Sequence, residues 1–354
     1  MQIKRCMAAG LTIVLLAACA AAPVPLESVP SSPAALSTGV LKVSLAPEVE
    51  ERILALDPEN ISAADVQQTL WHAPAPRVIL LHGGVYPVYL AMSSFARFLV
   101  GMGYPAERIK DPGDDSWSRT PYESSERLAG SIAWYYEQDG LRPMLIGHSQ
   151  GGMQVSKVLH DLAGTFDVHI PVWNPVSGQR EERTSIIDPI TGQSAPVIGT
   201  KVSFASAVGA GGPSGVLPNH WGLIGRLRDV PATVVQFNGY FIGIDWFAMT
   251  FEAAGGARYR SDSADVQVRN VILPAGYLHV SVPVTHHLPS NPEFRRWIDA
   301  YRPTTEKPDE ATMPGSYSDN VFYAADNWHA IKKHWTLEAQ RFVKAARARA
   351  QRRS

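Results

Sequence analysis

The sequence has very few cysteines, and both of them lie near its start. Among 354 residues only Cys6 and Cys19 are cysteine, so no disulfide can form in the chain beyond residue 19. An excess of charge of one sign is also lacking, since 32 Lys and Arg face 33 Asp and Glu. This balance gives no reason to expect nucleic acid or another strongly charged partner. A hydrophobic content of 45% suits a globular protein with a sizeable core.

The first 20 residues have the pattern of a secretory signal. Lys4 and Arg5 precede an apolar run over residues 7–18, which is too short to span a bilayer comfortably. The run ends in Leu-Ala-Ala-Cys at residues 16–19, which resembles the lipobox of bacterial lipoproteins. This resemblance implies that residues 1–19 are a signal peptide and that Cys19 is lipidated. The protein would then be a membrane-anchored lipoprotein of the cell envelope, on the periplasmic or extracellular side. The alternative is cleavage near residues 20–22 without lipidation.

Composition divides the rest of the chain into three parts. Residues 20–48 are rich in Ala, Pro and Ser and are predicted to be a flexible tether. Over residues 49–301 short apolar runs alternate with helical patterns, which predicts an α/β domain with a mostly parallel central sheet flanked by helices. A small insertion is expected around residues 179–200. Residues 302–354 form a C-terminal extension, whose segment 328–353 is predicted to be a basic amphipathic helix on the surface.

Individual strands are predicted from short apolar runs between turn signals. Residues 77–81 and 144–146 are continuous apolar runs, typical of strands that are buried on both faces. Further candidate strands are residues 167–175, 201–212, 232–245, 268–274 and 277–284.

The sequence GHSQG at residues 147–151 lies between a predicted strand and a predicted helix. A serine at the apex of a tight strand-to-helix turn has a strained backbone, and glycines two residues away on either side remove side chains that would clash. The hydroxyl of Ser149 would then project above the carboxyl end of the sheet, where α/β proteins bind ligands. The backbone amide of Gln150 would point into the same space. The pattern therefore predicts that Ser149 is a nucleophile.

Together with its flanking elements, GHSQGG resembles the nucleophile elbow of the α/β-hydrolase superfamily, in its lipase and esterase branch. The resemblance covers roughly residues 75–300 and implies a serine hydrolase that cleaves carboxylic esters through a Ser-His-Asp triad, without metal or cofactor. HGG at residues 82–84 is similar to the family's oxyanion loop. This similarity implies an oxyanion hole made by the amides of Gly84 and Gln150, with Val85 as a near alternative to Gly84. His82 and His148 are interpreted as structural.

The family order of serine, acid and histidine leaves several candidates for the acid. Asp245 ends a predicted late strand and is the preferred acid, with Asp262 and Asp265 as alternatives. Asp188 lies in the predicted insertion and is interpreted as a turn residue.

The candidates for the base depend on which strand is the last one. Alternation over residues 278–284 favours a strand that contains His279, so that His286 lies in the loop just past its end. Loops past strand ends carry catalytic groups, which makes His286 the preferred base. If residues 268–274 are the last strand instead, His279 falls in the loop and becomes the base, while His287 is a third candidate. His220 and His329 are interpreted as structural.

Other functions remain open on the sequence alone. Thioesterases, amidases and acyltransferases use the same triad, and a non-catalytic envelope lipoprotein is a further alternative that the intact GHSQGG disfavours. The expected partners are a small-molecule or lipid ester as substrate and a membrane through lipidated Cys19. The aromatic-rich residues 238–251 and the insertion are candidates for the lining of an acyl pocket.

Overall fold

A computed structural model describes residues 45–167, 169–212, 217–245, 247–248, 250–251, 258–303 and 310–353 of the chain. The predicted signal peptide, Cys19 and nearly all of the predicted tether lie outside these residues. None of the helices in the described ranges combines the length and the hydropathy of a transmembrane segment.

Helices and strands alternate along most of the chain. The α-helices are α1 (Pro47–Ala55), α2 (Ala63–Gln68), α3 (Tyr86–Gly101), α4 (Ser125–Asp139), α5 (Gln150–Leu162), α6 (Pro292–Ala300) and α7 (Val321–Arg353). The strands are β1 (Val78–Leu81), β2 (Met144–His148), β3 (Trp173–Asn174), β4 (Gln179–Arg180), β5 (Ser185–Ile187), β6 (Ser194–Pro196), β7 (Val202–Val208), β8 (Val234–Ile242), β9 (Ile244–Asp245), β10 (Thr250–Phe251) and β11 (Gln267–Leu273).

Five of the strands form a parallel sheet in the spatial order β1-β2-β7-β8-β11. The predicted α/β class, with a parallel sheet flanked by helices, is therefore confirmed. All residues of β1, β2 and β7 are buried, as expected for strands that are covered on both faces. Because every strand of this sheet runs in the same direction, the loops that follow β1, β2, β7, β8 and β11 meet at one edge.

Alternate residues of each strand build two separate cores. Val78 and Leu80 face the side that is covered by α3, α6 and α7, whereas Ile79 and Leu81 face the side that is covered by α4 and α5. This is the two-residue period of a strand, applied to a sheet with apolar side chains on both faces.

The C-terminal helix differs from its prediction. Trp328 and Trp335 lie two turns apart on α7, and neither has any exposed area. The Trp335 indole donates to the carbonyl oxygen of Pro74 at 3.2 Å, and its ring meets Tyr104 edge-on at 4.8 Å. Even Lys332 is buried, with its ammonium donating to a backbone carbonyl at 2.7 Å. The expectation of a surface helix is wrong for this part of α7, because the many basic residues of its last turns masked an apolar face further upstream.

Two predicted strands are not part of the sheet. After β11 the chain runs through successive turns, in which the N–H of Val282 donates to Leu278 at 3.1 Å and that of Val284 to Ser281 at 2.8 Å. These donors are used locally and cannot pair with a neighbouring strand, so the strand predicted at residues 277–284 is wrong. Within residues 167–175 the structure has the two-residue strand β3, which pairs antiparallel with β4 and not with the sheet.

The region predicted as an insertion forms short hairpins beside the sheet. Strands β5 and β6 pair antiparallel, and the loop before β5 is held against α4. There the guanidinium of Arg183 donates to both carboxylate oxygens of Glu137, at 2.7 and 2.6 Å. Asp188 accepts the N–H groups of residues 190 and 191 at 2.8 Å each, as a turn residue does.

Candidate active site

Ser149 lies at the sharp turn that joins β2 to α5. Its backbone has φ = 57° and ψ = −124°, a strained conformation for a residue with a side chain. The neighbouring glycines permit it: a Cβ at Gly147 would lie 2.6 Å from the backbone of Gly152, and one at Gly151 would lie 2.6 Å from the carbonyl oxygen of His82. The turn thus has the geometry predicted from GHSQG, with Ser149 half-buried.

His279 and Asp245 extend a hydrogen-bonded chain from the Ser149 hydroxyl. The Nε2 atom of His279 lies 2.9 Å from Ser149 Oγ, and its Nδ1 atom lies 2.7 Å from Asp245 Oδ2. Since a carboxylate only accepts, the proton sits on Nδ1, and Nε2 is free to accept the serine proton. Both His279 and Asp245 are buried.

The Asp245 carboxylate is itself fixed by the backbone. Its other oxygen, Oδ1, accepts the N–H groups of Phe247 at 3.0 Å and Ala248 at 2.9 Å. The two alternative acids, Asp262 and Asp265, are solvent-exposed. Of the candidate acids, the structure therefore brings the preferred one, Asp245, to the candidate base.

The preferred base, His286, is not the histidine that reaches Ser149. Its Nδ1 accepts the hydroxyl proton of Ser94 at 2.9 Å, and the same Ser94 oxygen accepts the backbone N–H groups of Thr285 and His286. His287 is hydrogen-bonded to Asp319 at 3.2 Å. The placement of His286 beside Ser149 is corrected to His279, the alternative, because β11 is the last strand and His279 lies in the loop that follows it.

The loop after β1 runs directly against the Ser149 turn. A Cβ at Gly83 would lie 3.0 Å from Ser149 Cβ, and one at Gly84 would collide with Gln150 Oε1. The N–H groups of Gly84 and Gln150 have no acceptor among the described residues. They are therefore unpaired donors on the two segments that meet at the Ser149 turn, and the oxyanion hole at Gly84 and Gln150 stays a prediction. Val85 directly precedes α3 and is exposed.

His82 and His148 both support the site through backbone carbonyls. His82 Nδ1 donates to Gly83 at 2.7 Å, and its ring lies edge-on to Tyr89. His148 is fully buried, and its Nε2 donates to the carbonyl oxygen of His279 at 2.7 Å. Burial lowers the pKa of His148 to about 3, so that it stays neutral.

The two other histidines that are interpreted as structural, His220 and His329, are also buried. His220 accepts from the side-chain amide of Asn219 at 3.2 Å, and burial lowers its pKa to about 4. His329 lies on α7 and donates to the carbonyl oxygen of Glu59 at 3.2 Å.

Two features of the site were not found from the sequence. Gly209 follows β7 with φ = 60°, and a Cβ there would lie 2.8 Å from His279 Cε1 and 3.2 Å from Asp245 Oδ2. The contact of His148 with His279 joins residues 131 positions apart, and no local pattern predicts it. Gly209 lies in a run of small residues, and this local pattern predicts a turn but no contact with His279.

Aromatic contact with the candidate base comes from Phe247. Its ring stacks on the imidazole of His279 at 5.2 Å and is itself exposed. No group of three His, Cys, Asp or Glu side chains that could hold a metal ion occurs in the described part of the chain.

Comparison with known proteins gives no family for this sequence. No protein-family model matches it, and no curated protein is significantly similar to it.

Proposed function

We propose that the chain is an α/β-hydrolase that cleaves carboxylic esters, with Ser149 as nucleophile, His279 as base and Asp245 as the acid that orients it. The observation that carries this proposal is the chain of hydrogen bonds from Ser149 Oγ through both ring nitrogens of His279 to Asp245. A structural serine does not require a strained backbone and an imidazole poised to accept its proton.

In the proposed reaction, His279 takes the Ser149 proton while Oγ attacks the ester carbonyl carbon. The carbonyl oxygen becomes an oxyanion, which accepts hydrogen bonds from the amides of Gly84 and Gln150. The imidazolium of His279, stabilised by Asp245, then protonates the leaving alcohol. Water, deprotonated by the same imidazole, attacks the acyl carbon. The bond from that carbon to Ser149 Oγ then breaks, the imidazolium returns its proton to Oγ, and the acid is released.

Export as a lipoprotein is a separate part of the proposal. The lipobox at residues 16–19 supports lipidation of Cys19 and attachment to a membrane of the cell envelope, with the ester-cleaving domain outside the cytoplasm. Radiolabelled palmitate incorporated into the wild-type chain, and not into Cys19→Ala, is the expected result in growing cells.

Hydrolysis of p-nitrophenyl esters of increasing chain length tests the proposed activity. Ser149→Ala and His279→Ala are expected to lower kcat by roughly 10⁴-fold or more, as loss of a triad member does. The matched control is His286→Ala, which removes the neighbouring histidine of the same segment and is expected to keep kcat within a few-fold. Equal loss in His279→Ala and His286→Ala would contradict the assignment of the base.

A further inference from the structure

An open cavity of about 770 Å³ lies beside the site on its β1 side. Its walls come from His82, from residues 111–127 and from the turn between β3 and β4 at residues 175–178. It adjoins the oxyanion loop, because Tyr122, one of its lining residues, donates its hydroxyl proton to the carbonyl oxygen of Gly84 at 3.0 Å. A cavity of this volume accommodates a ligand of several ring atoms and their substituents.

The order of the strands fixes which part of an ester this cavity can face. Asp245 and His279 follow β8 and β11, so the base approaches Ser149 from the β7 side of β2. The cavity lies on the opposite side, because the segment of residues 118–120 pairs with the end of β1 through Arg119. Since His279 must protonate the leaving oxygen, the alcohol occupies the base side, and the acyl group extends toward the cavity.

Most of the side chains that line the cavity carry a hydroxyl or a charge, and Pro175 and Val176 add a small apolar part. Hydroxyls of Ser116, Thr120 and Ser124 line it, together with that of Ser118, which is buried and has no hydrogen-bond partner in the described part of the chain. Burying an alkyl chain here would strip water from these groups without replacing their hydrogen bonds. The hydroxyl groups of a hydroxylated ligand would supply hydrogen bonds in place of those lost to water.

The charges in the cavity favour a neutral ligand. Arg119 is held between Asp111 at 2.5 Å and Glu123 at 3.0 Å, so its guanidinium is already neutralised. Asp114 adds a further carboxylate, and hydrogen bonds from Ser116 lower its pKa. Arg127 also lines the cavity and is paired with Glu123 at 3.2 Å. Three carboxylates therefore face two guanidinium groups, and an anion entering the cavity would meet a net negative charge.

We infer that the cavity binds a neutral, polyhydroxylated acyl group, of the chemical class of an esterified sugar acid. This inference rests on the proposed ester hydrolysis and adds to it the class of acid that is released. The apolar side chain of Phe247, stacked on His279, then borders the leaving alcohol rather than the acyl group. The earlier expectation that residues 238–251 line an acyl pocket is replaced by this arrangement.

Two matched pairs of esters test the inference on the purified full chain. In the acyl pair, the methyl ester of a methyl glucopyranosiduronic acid is compared with methyl cyclohexanecarboxylate, which has the same ring size without hydroxyls. In the alcohol pair, a methyl glucopyranoside 6-acetate is compared with cyclohexylmethyl acetate. Each kcat/KM is divided by the hydroxide-catalysed rate constant of the same ester, which removes differences in intrinsic reactivity.

The expected result is a corrected preference of roughly 10- to 100-fold for the hydroxylated member of the acyl pair, because its hydroxyls find partners that the alkyl analogue leaves unpaired. Ser177→Trp, which fills the cavity from an exposed position, is expected to lower this preference at least fivefold. Ser194→Trp, an equal change on exposed β6, serves as the matched control and is expected to keep it. Thr120→Val, which deletes one lining hydroxyl, is expected to lower the preference about twofold to fivefold.

A corrected ratio near one in the acyl pair, or a preference confined to the alcohol pair, would overturn the inference. Turnover of p-nitrophenyl acetate by the wild-type chain separates this failure from failure of the proposed function. If that turnover depends on Ser149 while the acyl pair is not discriminated, only the inference about the cavity is lost. If it is absent, the proposed hydrolysis and the inference fall together.

Discussion

The substitution Gly209→Ala is expected to lower kcat strongly and to lower the stability of the protein only slightly. The added Cβ would lie 2.8 Å from His279 Cε1 and 2.9 Å from Nδ1, whereas unstrained carbon contacts begin near about 3.5 Å. The imidazole must therefore retreat by roughly half an ångström or more, which lengthens its 2.9 Å hydrogen bond to Ser149 Oγ. A misplacement of about 1 Å can cost 100-fold in rate, so we expect kcat to fall by roughly 30- to 100-fold.

Stability should change much less than activity. Alanine at φ = 60° costs about 1–2 kcal/mol in backbone strain, which lowers the melting temperature by only a few degrees in a domain of this size. Gly192→Ala is the matched control, because Gly192 has φ = 75° and no atom within 4 Å of an added Cβ. It should lose similar stability and keep full activity.

The assay is steady-state hydrolysis of p-nitrophenyl acetate, with the melting temperature measured on the same preparations. If folded Gly209→Ala keeps kcat within threefold of wild type, His279 does not act as the base from the observed position. Equal losses of activity in Gly209→Ala and Gly192→Ala would also contradict this assignment, since backbone strain alone would then account for both losses.

Three further predictions concern the supports of the site and the core. His148→Phe removes the hydrogen bond to the His279 carbonyl oxygen. If the about 1–1.5 kcal/mol of this hydrogen bond is lost from the transition state, kcat falls roughly tenfold. Unchanged kinetics would show that other contacts hold His279 in place. Trp335→Ala should destabilise the protein by about 3–5 kcal/mol in urea unfolding, since the ring is fully buried, while exposed Lys344→Ala on the same helix should stay within about 0.5 kcal/mol. Burial lowers the pKa values of His148 and His334 in the folded protein to about 3. In the unfolded chain both histidines take up a proton near pH 6.5. The free energy of unfolding should therefore fall by about 1.4 kcal/mol per pH unit for each histidine, from about pH 6 down to pH 4. His334→Gln should remove its share of that slope, and an unaltered slope would contradict the assignment.

The parts of the fold and site that the sequence predicts are those with a local cause. The turn at Ser149 follows from glycines two residues to either side, and the strands β1 and β2 follow from continuous apolar runs. The position of Gln150 in the first turn of α5 follows from the same turn. In each case the physical constraint and the residues that satisfy it lie within a few positions of one another.

The parts that could not be predicted depend on contacts between distant segments. Alternation over residues 278–284 is as compatible with successive turns as with a strand. The local hydrogen bonds of this segment decide for turns, and among the described strands β11 pairs only with β8. The choice between His279 and His286 follows from that decision. The burial of Trp328 and Trp335 on a basic helix likewise depends on which face of the sheet α7 covers.

Covalent labelling by a fluorophosphonate, with the modified residue identified by mass spectrometry, measures whether Ser149 is an activated nucleophile. We expect one label per chain on Ser149, no label on Ser149→Ala, and labelling that is slowed by at least about 10³-fold in His279→Ala but not in His286→Ala. Wild-type protein that stays unlabelled, or labelling that depends on His286 instead of His279, would contradict this expectation.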